Sequence, residues 1–292
     1  ASPEVTTTAG LGDERQRHIH EESFGLVADG AVEMRRVARE CVRDGVDNMK
    51  INISGDEFVS HARAEITPLE DDELAAFVSV AHGFGKVVAA HARSSKSVKM
   101  AVRHGVDCIY HCDFADEEAL DMLESVKDTS FVGPAFGLVH NCTKEGEVAG
   151  ITKEVAESMD LFRKFDSTCE VYHKIRARGI RVVVGGDYGF TITPMGQNAR
   201  DIEHFVTYFG YSPNEALRCA TIVGAQLMGH GGELGEVKEG YLADLLLVDG
   251  NPLHDVSIMQ HQASFAMIMK NGEIYKDPRS AERGQAGLIA AE

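Results

Sequence analysis
The chain predicts an α/β fold: a barrel of parallel strands alternating with helices, followed by a small β unit at the C-terminal end. Three observations carry this reading. Val87-Val88-Ala89-Ala90 and Cys108-Ile109-Tyr110 are short apolar runs joined by one amphipathic helix, a β-α-β pattern. Both runs stop on a histidine, His91 and His111, where a strand hands over to a loop; in a parallel barrel that face holds the chemistry. From Gly235 onward the apolar pattern changes to period two in short runs.

Taken in order, residues 1–23 read as the tail of a strand and a long loop. Ala28 to Arg43 is a helix with Val32, Val37, Ala38, Cys41 and Val42 inward, ended by Gly45. Asn48 to Ile53 is a strand containing Lys50, followed by the turn Ser54-Gly55-Asp56. Pro68 opens a helix that buries Leu74, Phe77, Val78 and Ala81. It leads to the His91 strand. Ser94 and Ser95 are N-cap candidates for the next helix, with Val98, Ala101 and Val102 as its stripe and Gly105 as its stop. After His111, Asp116 caps a helix carrying Ala119, Leu120 and Leu123. Ser130 to Pro134 is the next strand.

Ala135 to Lys153 reads as a loop too long for a simple connection, the kind that often has a function; His140 lies in it. Helices over 154–164 and 170–178 precede Gly179 and the strand Arg181 to Asp187. A helix burying Ile202, Phe205, Val206 and Phe209 follows. Ser212-Pro213-Asn214-Glu215 is a capping box with Pro at the first helical position. Near the end, Ala243 to Asp249 is a strand. Ala266 to Met269 and Glu273 to Tyr275 form a hairpin about Asn271-Gly272.

Lys50, His91, His111 and Asp187 each stand near the end of a different strand in this scheme. A lysine inside an apolar strand is costly unless paired, neutralised or modified. Carbamylation by carbon dioxide turns the amine into a carboxylate able to bridge two metal ions. Imidazole and carboxylate donors without thiolate suit Zn2+ and similar divalent ions.

With these residues in place, the chain resembles the metal-dependent amidohydrolase superfamily, in the branch of imidazolonepropionase-like enzymes and Xaa-Pro or Xaa-Arg/Lys dipeptidases. That family has a lysine on the fourth barrel strand, histidines on the fifth and sixth and an aspartate on the eighth. Lys50, His91 in AAHA, His111 in IYHCDF and Asp187 in VGGDYG match. SPNEALRCAT, LGEVKEGYLADLLLVDGNPLHDV and MIMKNGEIYK resemble the family's C-terminal part.

The resemblance implies a TIM (β/α)8-type barrel with its first strands missing, over 1–234. It further implies part of a small β-sandwich over 235–280, and a tail over 281–292. Because half of that sandwich is lacking, exposed apolar faces are expected. The implied activity is hydrolysis of an amide-like C–N bond in a dipeptide or N-acyl amino acid. Zn2+ or another divalent ion, one or two per site, would activate water. Lys50, His91, His111 and Asp187 would be ligands, with Asp187 also the catalytic proton shuttle, and His140 would contact substrate. Non-peptide amides, ureas and carbamates are the alternative substrates. A non-catalytic metal-binding fragment that needs a partner chain is the alternative of another class. The family's His-x-His at the end of strand one is absent, since His18-Ile19-His20 has polar flanks; Gly186 replaces the family's usual Thr or Ser.

The bulk numbers agree with an ordinary soluble globular protein. At 292 residues the chain can bury a sizeable core, and a net charge of −17 argues against nucleic acid or an anionic membrane as partner. The six scattered cysteines fit a reduced, cytoplasmic chain. No apolar stretch has transmembrane length. The partners expected are a small-molecule substrate and, compatibly, further copies of the chain.

Overall fold
The structure, a computed structural model, describes residues 1–13 and 24–277. The His18-x-His20 spacing and the tail over 281–292 lie outside the described residues. The chain divides into two compact units, one of residues 1–193 and one from residue 194 onward.

In the first unit, β1 (Glu4–Thr6), β2 (Leu26–Val27), β3 (Asn48–Asn52), β4 (Val87–Ser94), β5 (Cys108–Phe114) and β6 (Phe131–Gly133) form one sheet. Its order is β2-β1-β3-β4-β5-β6 and every pairing is parallel. This is the α/β fold expected, with the barrel left open. The expected strand 181–187 is reduced to an isolated bridge, Val182 with Val132, next to β6. Arg181 and Val183 exchange backbone bonds with Val132, and beyond them the chain leaves the ladder towards Asp187.

The connecting helices are α1 (Gly30–Arg43), α2 (Asp71–Gly83), α3 (Ser95–Arg103) and α4 (Glu117–Ser125). α1 buries Met34, Val37, Ala38 and Cys41, which recur at i, i+3, i+4 and i+7. Val32 falls off that stripe and is 82 % exposed, not inward as its hydropathy suggested. Three residues after Pro68, α2 begins on a capping box formed by Glu70 and Glu73, so the proline precedes the helix and does not open it. Ser94 caps α3 by accepting from Ser97 N–H, and Asp116 caps α4 by accepting from Ala119 N–H.

The stretch expected to be a long loop is in fact helical. α5 (Phe136–Lys144) follows Ala135, whose φ is 47°, and buries every residue from Phe136 to Cys142. A helix buried all round shows no amphipathic period, so it escapes a search for one. The two helices expected over 154–164 and 170–178 are α6 (Lys153–Ser158) and α7 (Leu161–Ala177), with the break at 159–160 and not at 165–169.

In the second unit, α8 (Arg200–Phe209) buries Ile202, Phe205 and Phe209. α9 (Pro213–Arg218) starts on the expected capping box. It continues through a π-helical turn, Cys219–Val223, into α10 (Gly224–Leu227). β7 (Leu245–Val248), β8 (Phe265–Lys270) and β9 (Glu273–Lys276) form an antiparallel sheet in that order. Asn271 and Gly272, both at positive φ, make the two-residue hairpin turn. Leu246, Leu247, Ile274 and Tyr275 are each about half exposed or more. No described helix is long and apolar enough to cross a membrane.

Candidate metal centre and active site
Lys50, His91, His111 and Asp187 line one cavity of about 440 Å³ in the first unit. They come from β3, from β4, from β5 and from the segment after the Val182 bridge. Apolar side chains, among them Phe58, Val59, Leu138 and Ile192, line other parts of it.

The histidines do not end their strands. β4 runs on through Ser94 and β5 through Phe114. The register pairs His91 with Tyr110 and Ala92 with His111, so strict alternation would turn the two imidazoles to opposite faces. A bulge prevents this. Ala92 pairs with His111 but Ser94 with Phe114, so β5 carries one more residue than β4 there. His111 and Cys112 take φ of 78° and 57°. Such conformations cost about 1–3 kcal/mol per non-glycine residue and persist where surroundings impose them. The outcome is an edge-to-face pair of imidazoles with ring centroids 4.4 Å apart.

Both rings are buried, and burial, aided by the nearby Arg93 charge, holds each pKa well below the ordinary histidine value. His91 Nε2 lies 2.9 Å from the Gly55 carbonyl. Only an N–H can bond there, which leaves the lone pair on Nδ1. His111 Nδ1 is buried without a hydrogen-bond partner, and its Nε2 lies 3.9 Å from Asp187 Oδ2. Asp187 keeps 36 % of its side chain accessible, yet the surrounding protein desolvates it. That desolvation raises its pKa, against the pull of Arg93 and Lys50.

Lys50 is half-buried, and among the described residues no carboxylate lies within ion-pair distance of its amine. Neutral imidazoles with lone pairs, one buried nitrogen without a partner, a carboxylate and an amine open to carbamylation form a donor set that fits a divalent ion. Among the described residues, no three His, Cys, Asp or Glu side chains already converge on a common point.

His140 is not brought to the cavity. It lies in α5, buried, with its ring tilted against Phe136 and Phe165 and its Nδ1 3.0 Å from Asn141 Oδ1. Tyr188, directly after Asp187, lines the cavity instead. Asp56 and Arg93 also line it and were not anticipated. Burial opposes ionisation of Asp56, but Arg93 and Lys164 outweigh it and hold the carboxyl far below the usual range. The signal for Arg93 was present: a charged residue in the apolar run of β4, as anomalous as Lys50 in β3.

Comparison with known proteins gives the class. The chain belongs to the amidohydrolase family, whose model matches residues 14–275. This family is generally metal-dependent and acts on small molecules. The chain is 26 % identical over 253 residues to an ochratoxinase of Aspergillus niger, covering 86 % of this chain and 51 % of that protein. It thus spans about half the length of the curated relatives it matches. A prolidase solved with N-methylphosphonate-L-proline superposes with a TM-score of 0.82 at 26 % identity, covering 94 % of this chain and 67 % of that one. A Xaa-Pro dipeptidase with methionine in its active site has a TM-score of 0.81 at 24 % identity, covering 93 % and 66 %; at that identity the likeness speaks for the fold.

Proposed function
We propose that this chain carries the metal-binding part of a hydrolase that cleaves an amide-like C–N bond in a dipeptide or N-acyl amino acid. One observation carries the reading: Lys50, His91, His111 and Asp187, from four separate segments, line the same cavity. The prolidase and ochratoxinase relatives support the substrate class. Residues 1–234 are the barrel part and 235–280 the sandwich part in this reading.

His91 and His111 would hold a divalent ion with their free lone pairs, and Lys50, carbamylated by carbon dioxide, would complete or bridge the site. Zinc is the ion that best suits these donors. When bound, it polarises the substrate carbonyl and acidifies water. Asp187 accepts the proton from the attacking water and delivers it to the leaving nitrogen. Burial raises its pKa from the ordinary aspartate value, the direction that favours a carboxylate taking up a proton. The side chains of Phe58, Val59, Leu138 and Ile192 would offer the substrate an apolar wall beside these groups.

The test is a substrate panel on the full-length protein loaded with zinc: dipeptides, N-acyl amino acids, ureas and carbamates, read by amine release. Turnover of the first two classes, lost on chelation and restored by metal, is the expected result. Release from ureas or carbamates alone would move the assignment to those substrates, and no release from any class would overturn it.

A further inference from the structure
We infer that Arg93 is a positioning residue that orients both imidazoles of the candidate centre, by fixing the loop that faces His91 and the bulge that carries His111. The inference rests on the reading of this cavity as a metal-dependent hydrolytic centre. Arg93 lies two residues beyond His91 on β4 and is 3 % exposed. Its Nε donates to Asp56 Oδ2 at 2.7 Å, and its Nη1 donates to Asp113 Oδ2 at 2.5 Å. Nη2 lies 2.7 Å from Asp56 Oδ2 and 4.0 Å from Asp187 Oδ2. Its backbone N–H donates to Ser54 Oγ at 2.8 Å. One planar fork therefore ties the loop after β3, the end of β4 and the end of β5.

The route to His91 runs through Asp56. The carbonyl of the preceding residue, Gly55, accepts the His91 Nε2–H bond at 2.9 Å. That loop closes tightly on itself: Gly55 N–H donates to Ile66 O, Asp56 N–H donates to Ala62 O, and a Cβ at Gly55 would meet Ala62 O at 1.9 Å. Anchoring Asp56 thus fixes the one acceptor that selects the His91 tautomer. The route to His111 runs through Asp113. Asp113 follows the left-handed pair His111-Cys112, and its side chain is held by Arg93 on one oxygen and by Thr168 Oγ1, at 2.8 Å, on the other. The Asp113 carbonyl accepts from Ser167 Oγ at 2.6 Å. These bonds oppose relaxation of the bulge to a regular strand, which would swing His111 away from the cavity.

Arg93 lines the cavity, so it could instead be a receptor for a substrate carboxylate. The geometry favours the positioning role, because Nε and Nη1 already donate to Asp56 and Asp113 and Nη2 lies 2.7 Å from Asp56 Oδ2. A lysine could supply the charge but not the fork that serves two carboxylates at once.

The test uses the full-length protein and Arg93→Lys. In the metal-free state, imidazole 15N shifts should report His91 as a single Nε2–H tautomer in wild type and as a mixture in the variant. Zinc affinity, by competition titration, should fall roughly tenfold to a hundredfold. At saturating zinc, kcat should fall more than KM rises, the reverse of what loss of a carboxylate receptor gives. A folded Arg93→Lys protein with unchanged tautomer and zinc affinity overturns the inference. If that variant does not fold, Asp113→Asn decides, since it leaves the Arg93–Asp56 contact in place. The inference then requires His111 signals to move while His91 keeps its tautomer, and unmoved His111 signals overturn it. Wild type that binds no zinc would defeat the hydrolytic reading separately, because the tautomer comparison needs no metal.

Discussion

His91 and His111 face each other edge-on at 4.4 Å although the sheet register assigns them to opposite faces. The bulge in β5 is what unites them, and it does so at the cost of two left-handed residues. If the pair serves a common ion, either His91→Ala or His111→Ala should lower zinc content by a similar amount. The double variant should cost little more, because the residues act as one unit. Metal analysis of the three proteins checks this. Unchanged zinc in all three would reduce the pair to ordinary core histidines.

Asp187→Asn should abolish turnover and leave much of the metal bound. The carboxyl sits beside His111 and Arg93 but at 3.9 and 4.0 Å, so it is less committed to either than the imidazoles are to the centre. Asparagine keeps the shape and cannot shuttle a proton. Steady-state rates with parallel metal analysis check it, and near-normal activity would refute the shuttle role.

Lys50 should respond to carbon dioxide. It is half-buried and lines the cavity, which leaves its amine open to carbon dioxide. Metal-stripped protein should recover activity with zinc faster when bicarbonate is present, and short carboxylic acids should partly rescue Lys50→Ala. Intact-protein mass spectrometry that finds an unmodified amine in active enzyme would end this account.

The metal-free protein should lose stability on acidification through about pH 6.5. Both buried imidazoles have folded pKa values below the unfolded value, so under acid the unfolded state binds protons that the native state refuses. Stability from this source is complete above pH 6.5 and declines below it. The depressed Asp56 carboxyl acts only lower, as pH falls below the ordinary aspartate value of 3.8. Asp187, raised by burial, has the opposite sign, so the imidazole share is read as the difference between wild type and His111→Asn. Urea midpoints from pH 5 to 8 check it; parallel curves for the two proteins would contradict it.

Much of the fold was legible because periodicity and caps agree locally: Ser94, Asp116 and the Ser212–Glu215 box all cap where expected. α5 was hidden because a helix buried on all sides has no polar face to mark it. Three features in and around the site depend on distant packing, and no local pattern encodes them, including the one that keeps His140 out of the cavity. The bulge at His111 follows from the register with β4. The turn of His140 into the Phe136–Phe165 cluster follows from α5 packing on α7, and the grip of Arg93 on Asp56 and Asp113 joins three separate segments. The four cavity residues themselves were legible mainly through the family resemblance, since polar groups near strand ends left the metal reading open by themselves.

A final prediction concerns the wall of the cavity and not its donors. Lys164 of α7 donates to the Glu57 carboxylate, and the two side chains are 2 % and 6 % exposed. Glu57 sits between Asp56, which Arg93 holds, and Phe58, which lines the cavity. The ion pair therefore pins the loop after β3 onto α7. Two charges buried this deeply stabilise little net, since desolvation offsets their attraction, but removing one strands the other. Lys164→Met should cost about 3–5 kcal/mol, and Glu57→Leu combined with Lys164→Met should recover part of it, because Lys164 also stabilises the buried Asp56 carboxylate. If the loop is pinned as described, the single variant should also raise KM by loosening Phe58. Urea denaturation of the single and double variants decides the energetic claim. A loss below about 1 kcal/mol in Lys164→Met would mean that water reaches the pair and that it behaves as a surface salt bridge.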